Sequence, residues 1–158
     1  MKLGTRSAHV DTFTRENLPP REQWPDFTFT LPELNYPPSI NCAAELLDRH
    51  VESGGGARRC VVTDDEVWTY SDLLKRANQV AHALVDEMGL VPGNRVLLRG
   101  PNNPWLVASW FGVIKAGGVA VTTMPLLRQR ELQTMVDIGA VQMAICDHRF
   151  ADDLEAAA

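Results

Sequence analysis

The chain has 158 residues, of which 45% are hydrophobic and 22% charged, and its formal net charge is −5. This size and composition predict one domain, or a large part of one, with a hydrophobic core. The scattered arginines and negative balance exclude a general nucleic-acid binder, which needs clustered Lys and Arg. Three cysteines without close pairing favour a reducing compartment. Neither a secretory signal nor an apolar run of bilayer length is visible, so we expect a cytoplasmic protein without a membrane partner.

Residues 1–41 are predicted to form an extended N-terminal arm. Six of the ten prolines lie before Asn41, and because proline removes an amide donor, this segment cannot be a long helix or a central strand. The arm also carries five aromatic residues: Phe13, Trp24, Phe27, Phe29 and Tyr36. A disordered linker rarely has so many. We therefore expect these rings, above all Trp24, Phe27 and Phe29, to pack against the folded body; a flexible tail is the alternative.

Residues 42–158 are predicted to form an α/β subdomain, which begins with a helix and a small hairpin. Asn41 is the expected N-cap of a helix over residues 42–51. Two short strands, 59–63 and 66–69, surround Asp64-Asp65 and predict a β-hairpin. Thr69 and Asp72 stand three residues apart, which is a variant capping box at the start of a longer helix. Its apolar face repeats with helical spacing: Leu73, Ala77, Val80, Ala81, Leu84, Val85 and Met88.

Strands and helices then alternate. The predicted strands cover residues 96–99, 119–123 and 141–146, and the predicted helices cover 104–116, 128–138 and the residues from 150 onwards. The helix at 104–116 is apolar almost all round, so we expect it to be buried. This alternation predicts a parallel sheet with helices on its faces and right-handed crossovers.

No catalytic constellation and no metal site is predicted from the residues. The run Ser53-Gly54-Gly55-Gly56 follows a helix and precedes a strand, whereas a phosphate loop follows a strand and opens a helix. Cys146-Asp147-His148 is the only cluster of potential ligands, at the expected carboxyl end of a strand. A buried cysteine beside a surface histidine is a more common explanation of this cluster than a metal site or a catalytic dyad.

The sequence contains three short motifs: Thr69-Tyr70-x-x-Leu73, Pro92-Gly93-Asn94-Arg95-Val96 and Lys115-Ala116-Gly117-Gly118. Their order and spacing resemble those of the adenylate-forming enzymes, that is, the acyl- and aryl-CoA synthetases and their relatives. The stretch 42–147 resembles the start of the large N-terminal domain of that family. The Lys-ending phosphate loop, the acidic ribose motif and the C-terminal lysine of the family do not occur within residues 1–158. The resemblance therefore implies a fragment of a larger N-terminal domain, inactive by itself. The arm, from Leu18 to Pro25 and around Tyr36, is similar to that of 2-aminobenzoate-CoA ligases and related aryl-CoA ligases.

The resemblance implies a two-step ligase reaction in a longer parent. ATP activates a carboxylate as an acyl-adenylate, and coenzyme A then displaces AMP, with Mg²⁺ offsetting phosphate charge. An aromatic carboxylic acid, such as 2-aminobenzoate or benzoate, is the implied substrate, and the remainder of the same polypeptide is the implied partner. No cofactor is expected in this segment itself. The sequence does not specify the acid, the oligomeric state, or whether the piece is engineered or proteolytic.

One binding role is implied inside the segment. In some acyl-CoA synthetases, the loop after the strand that matches residues 119–123 borders the coenzyme A nucleotide. This places Pro125 and Leu126 on a possible coenzyme A rim, together with Arg149 just past the next strand, whose charge suits a phosphate. A plain surface arginine is the alternative for Arg149. The competing function for the whole chain is a free-standing, non-catalytic α/β module that binds a protein partner or a nucleotide.

Overall fold

The computed structural model of the chain describes residues 7–37 and 39–158, so residues 1–6 and Pro38 of the predicted arm lie outside the described part. The strands are β1 (Arg59–Val62), β2 (Val67–Thr69), β3 (Arg95–Arg99), β4 (Val119–Thr123) and β5 (Met143–Cys146). The α-helices are α1 (Phe13–Glu16), α2 (Arg49–Glu52), α3 (Tyr70–His82), α4 (Pro104–Lys115), α5 (Gln129–Gly139) and α6 (Ala151–Glu155). π-helical turns at Ala44–Asp48 and Ala83–Glu87 precede α2 and follow α3. Within the described ranges, none of the helices combines the length and apolarity needed to cross a membrane.

The hairpin and the helix caps follow from local sequence. β1 and β2 pair antiparallel with an irregularity between Arg59 and Val61, which confirms the predicted hairpin. At the start of α3, the Thr69 hydroxyl accepts a hydrogen bond from the Asp72 amide at 3.2 Å, and the Asp72 carboxylate accepts one from the Thr69 amide at 3.0 Å. This is the predicted capping box. The Asn41 side chain likewise accepts from the backbone amides of the next helix.

The three-stranded sheet is parallel, in the order β4-β3-β5, with helices on both faces. On one face, Val96 and Leu98 of β3 pack in a cluster with Val113 of α4. On the other face, Leu97 packs with residues of α5 and α6. The predicted parallel α/β architecture is confirmed. It makes β3 the central strand, buried along its whole length.

The apolar face of the helix after Thr69 is shorter than predicted. Val85 and Met88 are 44% and 49% exposed, although the helical spacing placed both of them inward. The reason is the π-helical turn Ala83–Glu87, because its wider turn shifts the residues that follow out of the 3.6-residue period.

The expected burial of α4 is also partly wrong, because Trp105 in its first turn is 49% exposed. The ring packs edge-on against Trp68, with ring centroids 5.5 Å apart. The Trp105 ring lies beside the carboxyl end of the sheet. The hydrophobic core covers only the later turns of α4.

The prediction that the rings of the arm pack against the folded body is wrong for Phe27 and Phe29, which are 49% and 38% exposed. These two rings stack on each other with centroids 6.2 Å apart, and Trp24 meets Phe27 edge-on. Since alternate residues of an extended chain lie on the same side, Phe27 and Phe29 contact each other within the arm and not the folded body. Trp24 is half-buried, and its indole N–H donates to the Pro19 carbonyl.

A short segment of the arm does dock, at the amino edge of the sheet, and Asp11 is its anchor. The amides of Val10 and Asp11 donate to the Pro92 carbonyl at 2.8 and 2.9 Å. The Asp11 carboxylate accepts from the Phe13 amide at 3.0 Å and from the Arg95 guanidinium at 2.6 Å. These two contacts lower the pKa of Asp11 to about 2.

We predict that Asp11→Asn lowers the melting temperature of the 158-residue chain, because an amide cannot replace the charge that faces Arg95. The folded-state pKa of about 2 lies below the ordinary value of 3.8. The stabilisation is therefore complete above about pH 4 and is lost as the pH falls towards 2. Thermal unfolding followed by circular dichroism across this range should show the difference between wild type and variant shrinking with acid.

Asp26→Asn is the matched control, because Asp26 is exposed and its side chain makes no hydrogen bond or ion pair in the described part of the chain. It should leave the melting temperature unchanged. The role of Asp11 would be contradicted if the two substitutions changed the melting temperature equally. It would also be contradicted if the difference in melting temperature between the wild type and Asp11→Asn persisted at pH 2.

Candidate functional site

The carboxyl ends of the three parallel strands lie side by side, where open α/β sheets bind their ligands. Arg99 of β3 pairs in register with Thr123 of β4 and with Cys146 of β5. The predicted site residues all follow these ends: Pro125 and Leu126 follow β4, and Arg149 follows β5. The sheet topology therefore assembles them at one edge.

Arg99 organises this edge. Its side chain is fully buried, with the residue only 2% exposed, and its guanidinium donates four hydrogen bonds to backbone carbonyls. The acceptors and distances are Phe150 at 3.0 Å, Met124 at 3.1 Å, Pro125 at 3.0 Å and Leu127 at 2.8 Å. One buried charge thus ties the loop after β4 to the loop after β5. Sequence reasoning missed Arg99; the available signal was a charged residue that ends an otherwise apolar central strand.

The structure brings Pro125, Leu126 and Arg149 together around one cavity of about 280 Å³, which also contacts Arg99 and Phe150. Leu126 is 82% exposed and offers an apolar surface at this cavity. Further charged residues complete the lining: Arg128, Asp152 and Asp153. We call this cavity the rim cavity.

The two surface arginines of the rim cavity, Arg149 and Arg128, are already paired with carboxylates. Arg149 forms a fork to Asp147, with both nitrogen-to-oxygen distances at 2.9 Å. This fork holds the pKa of the Asp147 carboxyl well below its usual range and raises the pKa of Arg149. The Arg128 guanidinium lies 3.1 Å from the Asp153 carboxylate. Any phosphate group at this cavity must share its arginines with these carboxylates.

The Cys146-Asp147-His148 cluster has no arrangement suited to nucleophilic catalysis. The Cys146 thiol donates to the Asp147 carbonyl at 3.3 Å, and burial raises the pKa of this thiol. A thiol with a raised pKa is a poor nucleophile. The His148 side chain is 92% exposed and lies 3.7 Å from the Asp147 carboxylate. In the described ranges, no three His, Cys, Asp or Glu side chains converge as metal ligands.

Comparison with known proteins identifies the family. The model of the family described as "AMP-binding enzyme" matches residues 47–158, which is most of the chain. The chain belongs to the AMP-binding enzyme family. This confirms the resemblance to adenylate-forming enzymes.

Three aryl-CoA ligases are similar to this AMP-binding chain, and two of them have solved structures. The benzoate–CoA ligase of Thauera aromatica is 28% identical over 120 residues, covering 76% of this chain and 23% of that protein. The anthranilate CoA ligase AuaEII, solved in complex with anthranoyl-AMP, gives a TM-score of 0.71 at 26% identity over 77% of this chain and 23% of its own. A benzoate CoA ligase from Burkholderia xenovorans LB400 gives a TM-score of 0.69 at 24% identity, over 75% and 24% of the two chains. The chain thus spans about a quarter of the length of these proteins.

We predict that Arg99→Met destabilises this AMP-binding segment by about 2–4 kcal/mol, because the four loop carbonyls that Arg99 joins lose their shared donor at once. Chemical denaturation gives the free energy of unfolding. Amide hydrogen exchange should accelerate at Leu127, whose amide donates to the Met124 carbonyl within the loop that Arg99 holds. Arg99→Lys should recover part of the stability, since an ammonium reaches fewer of the carbonyls.

Arg130→Met is the matched control, since Arg130 is exposed and its side chain makes no hydrogen bond within the described residues. Its effect should stay within about 0.5 kcal/mol. Equal stability of the Arg99 and Arg130 variants, with unchanged exchange in the loop, would show that Arg99 does not hold this edge together.

Proposed function

We propose that this chain is the N-terminal part of an ATP-dependent aryl acid–CoA ligase of the 2-aminobenzoate or benzoate type. Membership of the AMP-binding family supports the adenylate chemistry. The observation that carries the aryl assignment is the structural likeness to an anthranilate CoA ligase bound to anthranoyl-AMP, at a TM-score of 0.71. The similarity to a benzoate–CoA ligase supports the same class. The division into an arm, 1–41, and a subdomain, 42–158, is part of this proposal.

In the proposed reaction, a carboxylate oxygen attacks the α-phosphorus of ATP, which gives an acyl-adenylate and pyrophosphate. The coenzyme A thiol then attacks the acyl carbon, and AMP leaves. These steps depend on positioning and charge neutralisation rather than on a protein nucleophile. Mg²⁺ supplies part of that neutralisation when it is bound. We assign the ATP and Mg²⁺ sites to the remainder of the enzyme, because the Lys-ending phosphate loop and the acidic ribose motif of the family do not occur within residues 1–158.

The contribution proposed for this segment is the rim for the coenzyme A nucleotide. Such a nucleotide combines a flat adenine with phosphate groups. Leu126 presents exposed apolar surface that suits the adenine, and Arg149 lies at the same cavity with a charge that suits a phosphate. Arg99 positions the rim by holding the Pro125 and Leu127 carbonyls. The fork to Asp147 holds the Arg149 guanidinium in one orientation, and a bound phosphate would share this guanidinium with the Asp147 carboxylate.

We expect the isolated 158-residue chain to show no ATP–pyrophosphate exchange above background with any aryl acid. The longer protein that carries this segment should instead release AMP and form a thioester from ATP, Mg²⁺, coenzyme A and 2-aminobenzoate or benzoate. AMP release measured across aryl, short-chain and long-chain acids tests the assignment.

Turnover confined to fatty acids would reject the aryl substrate and keep the family chemistry. Exchange activity in the isolated chain would show that the segment is not inert. Absence of AMP with every acid, from a folded longer protein, would reject the ligase and favour the non-catalytic binding module.

We further predict that Leu126→Glu in the longer enzyme raises the KM for coenzyme A about tenfold, equivalent to ~1.4 kcal/mol, because a carboxylate then repels the nucleotide phosphates. Aryl-acid-dependent ATP–pyrophosphate exchange, which needs no coenzyme A, should keep its rate. Steady-state kinetics of both reactions separate the two effects.

Met124→Glu is the matched control for this substitution. Met124 is also exposed, at 61%, and it belongs to the same loop, but its side chain does not line the rim cavity. A similar rise in KM for both variants would indicate a long-range charge effect and not a local rim.

A further inference from the structure

Residues 26–31 of the arm have the sequence pattern of a β-strand but no strand to pair with. Large apolar residues alternate there with β-branched threonines, in the order Phe27, Thr28, Phe29, Thr30 and Leu31. Such alternation is typical of a strand that buries one of its faces. All six residues are nevertheless exposed, and within the described structure no backbone group of residues 26–30 takes part in a hydrogen bond. We call residues 26–31 the arm segment.

The arm segment has defined ends. Its flanks are already extended, since Trp24 has a φ of −78° and a ψ of 143°, and Leu31 has a φ of −81° and a ψ of 135°. Pro25 and Pro32 enclose the segment, and neither has an amide hydrogen to donate to a neighbouring strand. The local sequence therefore limits pairing to the residues between the two prolines, which is an ordinary strand length.

The folded body holds the arm on both sides of this segment. Asp11 docks at the amino end of the sheet through Arg95. On the other side, the Asn41 side chain donates to the Ile114 carbonyl at 2.8 Å, in the last turn of α4, which leads into the amino end of β4. The arm is thus a closed loop at the amino end of the sheet. Because the loop is closed, a surface at this end would capture the segment at a smaller entropic cost than it would capture a free tail.

The exposed apolar side chains indicate what kind of partner fits. Phe27, Phe29 and Leu31 are 49%, 38% and 59% exposed. A second copy of the segment could pair with the backbone, but the resulting two-stranded ribbon would leave the apolar residues of both copies in water. Such an isolated ribbon is at best marginally stable. A fitting partner must offer an open strand edge together with an apolar surface that covers the rings.

We propose that the arm segment adds as a strand to a sheet edge in the remainder of the longer polypeptide, where apolar side chains cover Phe27, Phe29 and Leu31. Strand addition of this kind combines backbone hydrogen bonds with burial of alternate side chains. The chain spans only 23% of the benzoate–CoA ligase of Thauera aromatica, so most of that protein's length has no counterpart here. The family match begins at residue 47, beyond the arm. The proposal rests on the proposed function only in requiring a longer protein that carries this segment.

Amide hydrogen exchange, measured by mass spectrometry on the 158-residue chain and on the longer protein, tests the proposal. Residues 26–31 should exchange rapidly in the isolated chain and about a hundredfold more slowly in the longer protein. Rapid exchange in both proteins would overturn the proposal. Protection in the isolated chain that increases with its concentration would also overturn it, because the partner would then be a second copy. Exchange needs no substrate, so this result is separate from the AMP-release assay of the ligase.

Phe29→Ser should lower the melting temperature of the longer protein by about 2 °C or more and leave that of the isolated chain unchanged. In the isolated chain, the Phe29 ring is exposed and stacks on Phe27 within the arm. Leu18→Ser is the matched control, because Leu18 is an exposed apolar residue of the same arm outside the segment. It should leave both melting temperatures unchanged. Equal shifts for Phe29→Ser in the two proteins, or equal shifts for the two variants in the longer protein, would overturn the proposal.

Discussion

Two buried arginines at the two ends of β3 hold the described structure together. Arg95 and Arg99 are 4% and 2% exposed, yet most of their hydrogen bonds go to backbone carbonyls of loops and not to carboxylates. Removing a guanidinium from water is unfavourable unless its donors are satisfied, so each arginine requires its loops to lie where they do. The acceptors at the amino end are the carbonyls of Gly93, Gly139 and Ala140, together with Asp11.

The amino end shows how strongly this constraint acts. Ala140 has a φ of 43°, in the left-handed region that residues other than glycine rarely adopt. Its carbonyl accepts a hydrogen bond from Arg95 at 2.9 Å, so the buried charge stabilises a turn that the local sequence disfavours. The same guanidinium binds Asp11 and lies over the Phe13 ring, with 4.5 Å between its central carbon and the ring centroid. One side chain thus joins the end of α5 to the docked part of the arm.

The features that could be predicted from the sequence depend on neighbours in the chain. The capping box at Thr69 and the N-cap at Asn103 span three residues each, and the strand and helix alternation follows from short hydrophobic periods. The contacts that organise the two ends of the sheet are long-range: Asp11 and Arg95, at the amino end, are 84 positions apart, and Arg99, at the candidate site, reaches 51 positions to Phe150. No local period encodes such pairs. The family resemblance implied a role for Pro125 and Leu126, and position and charge suggested Arg149, but their shared cavity with Arg99 became visible only in the folded chain.

Two of the three family motifs, those around Gly93 and Gly117, lie at the amino end of the sheet, away from the edge where ligands are expected. Gly93 has a φ of 98°, and a Cβ there would clash with the Asp11 carbonyl, so the glycine permits the arm to dock. The Gly93 amide donates to the Gly117 carbonyl, which joins two of the motifs at the amino end of the sheet. These residues stabilise a scaffold. The carboxyl edge of the same strands carries the rim cavity, and its exposed residues, such as Leu126 and Trp105, contribute little to the core. A chain can therefore change its ligand at this edge while it keeps the motifs by which its family is identified.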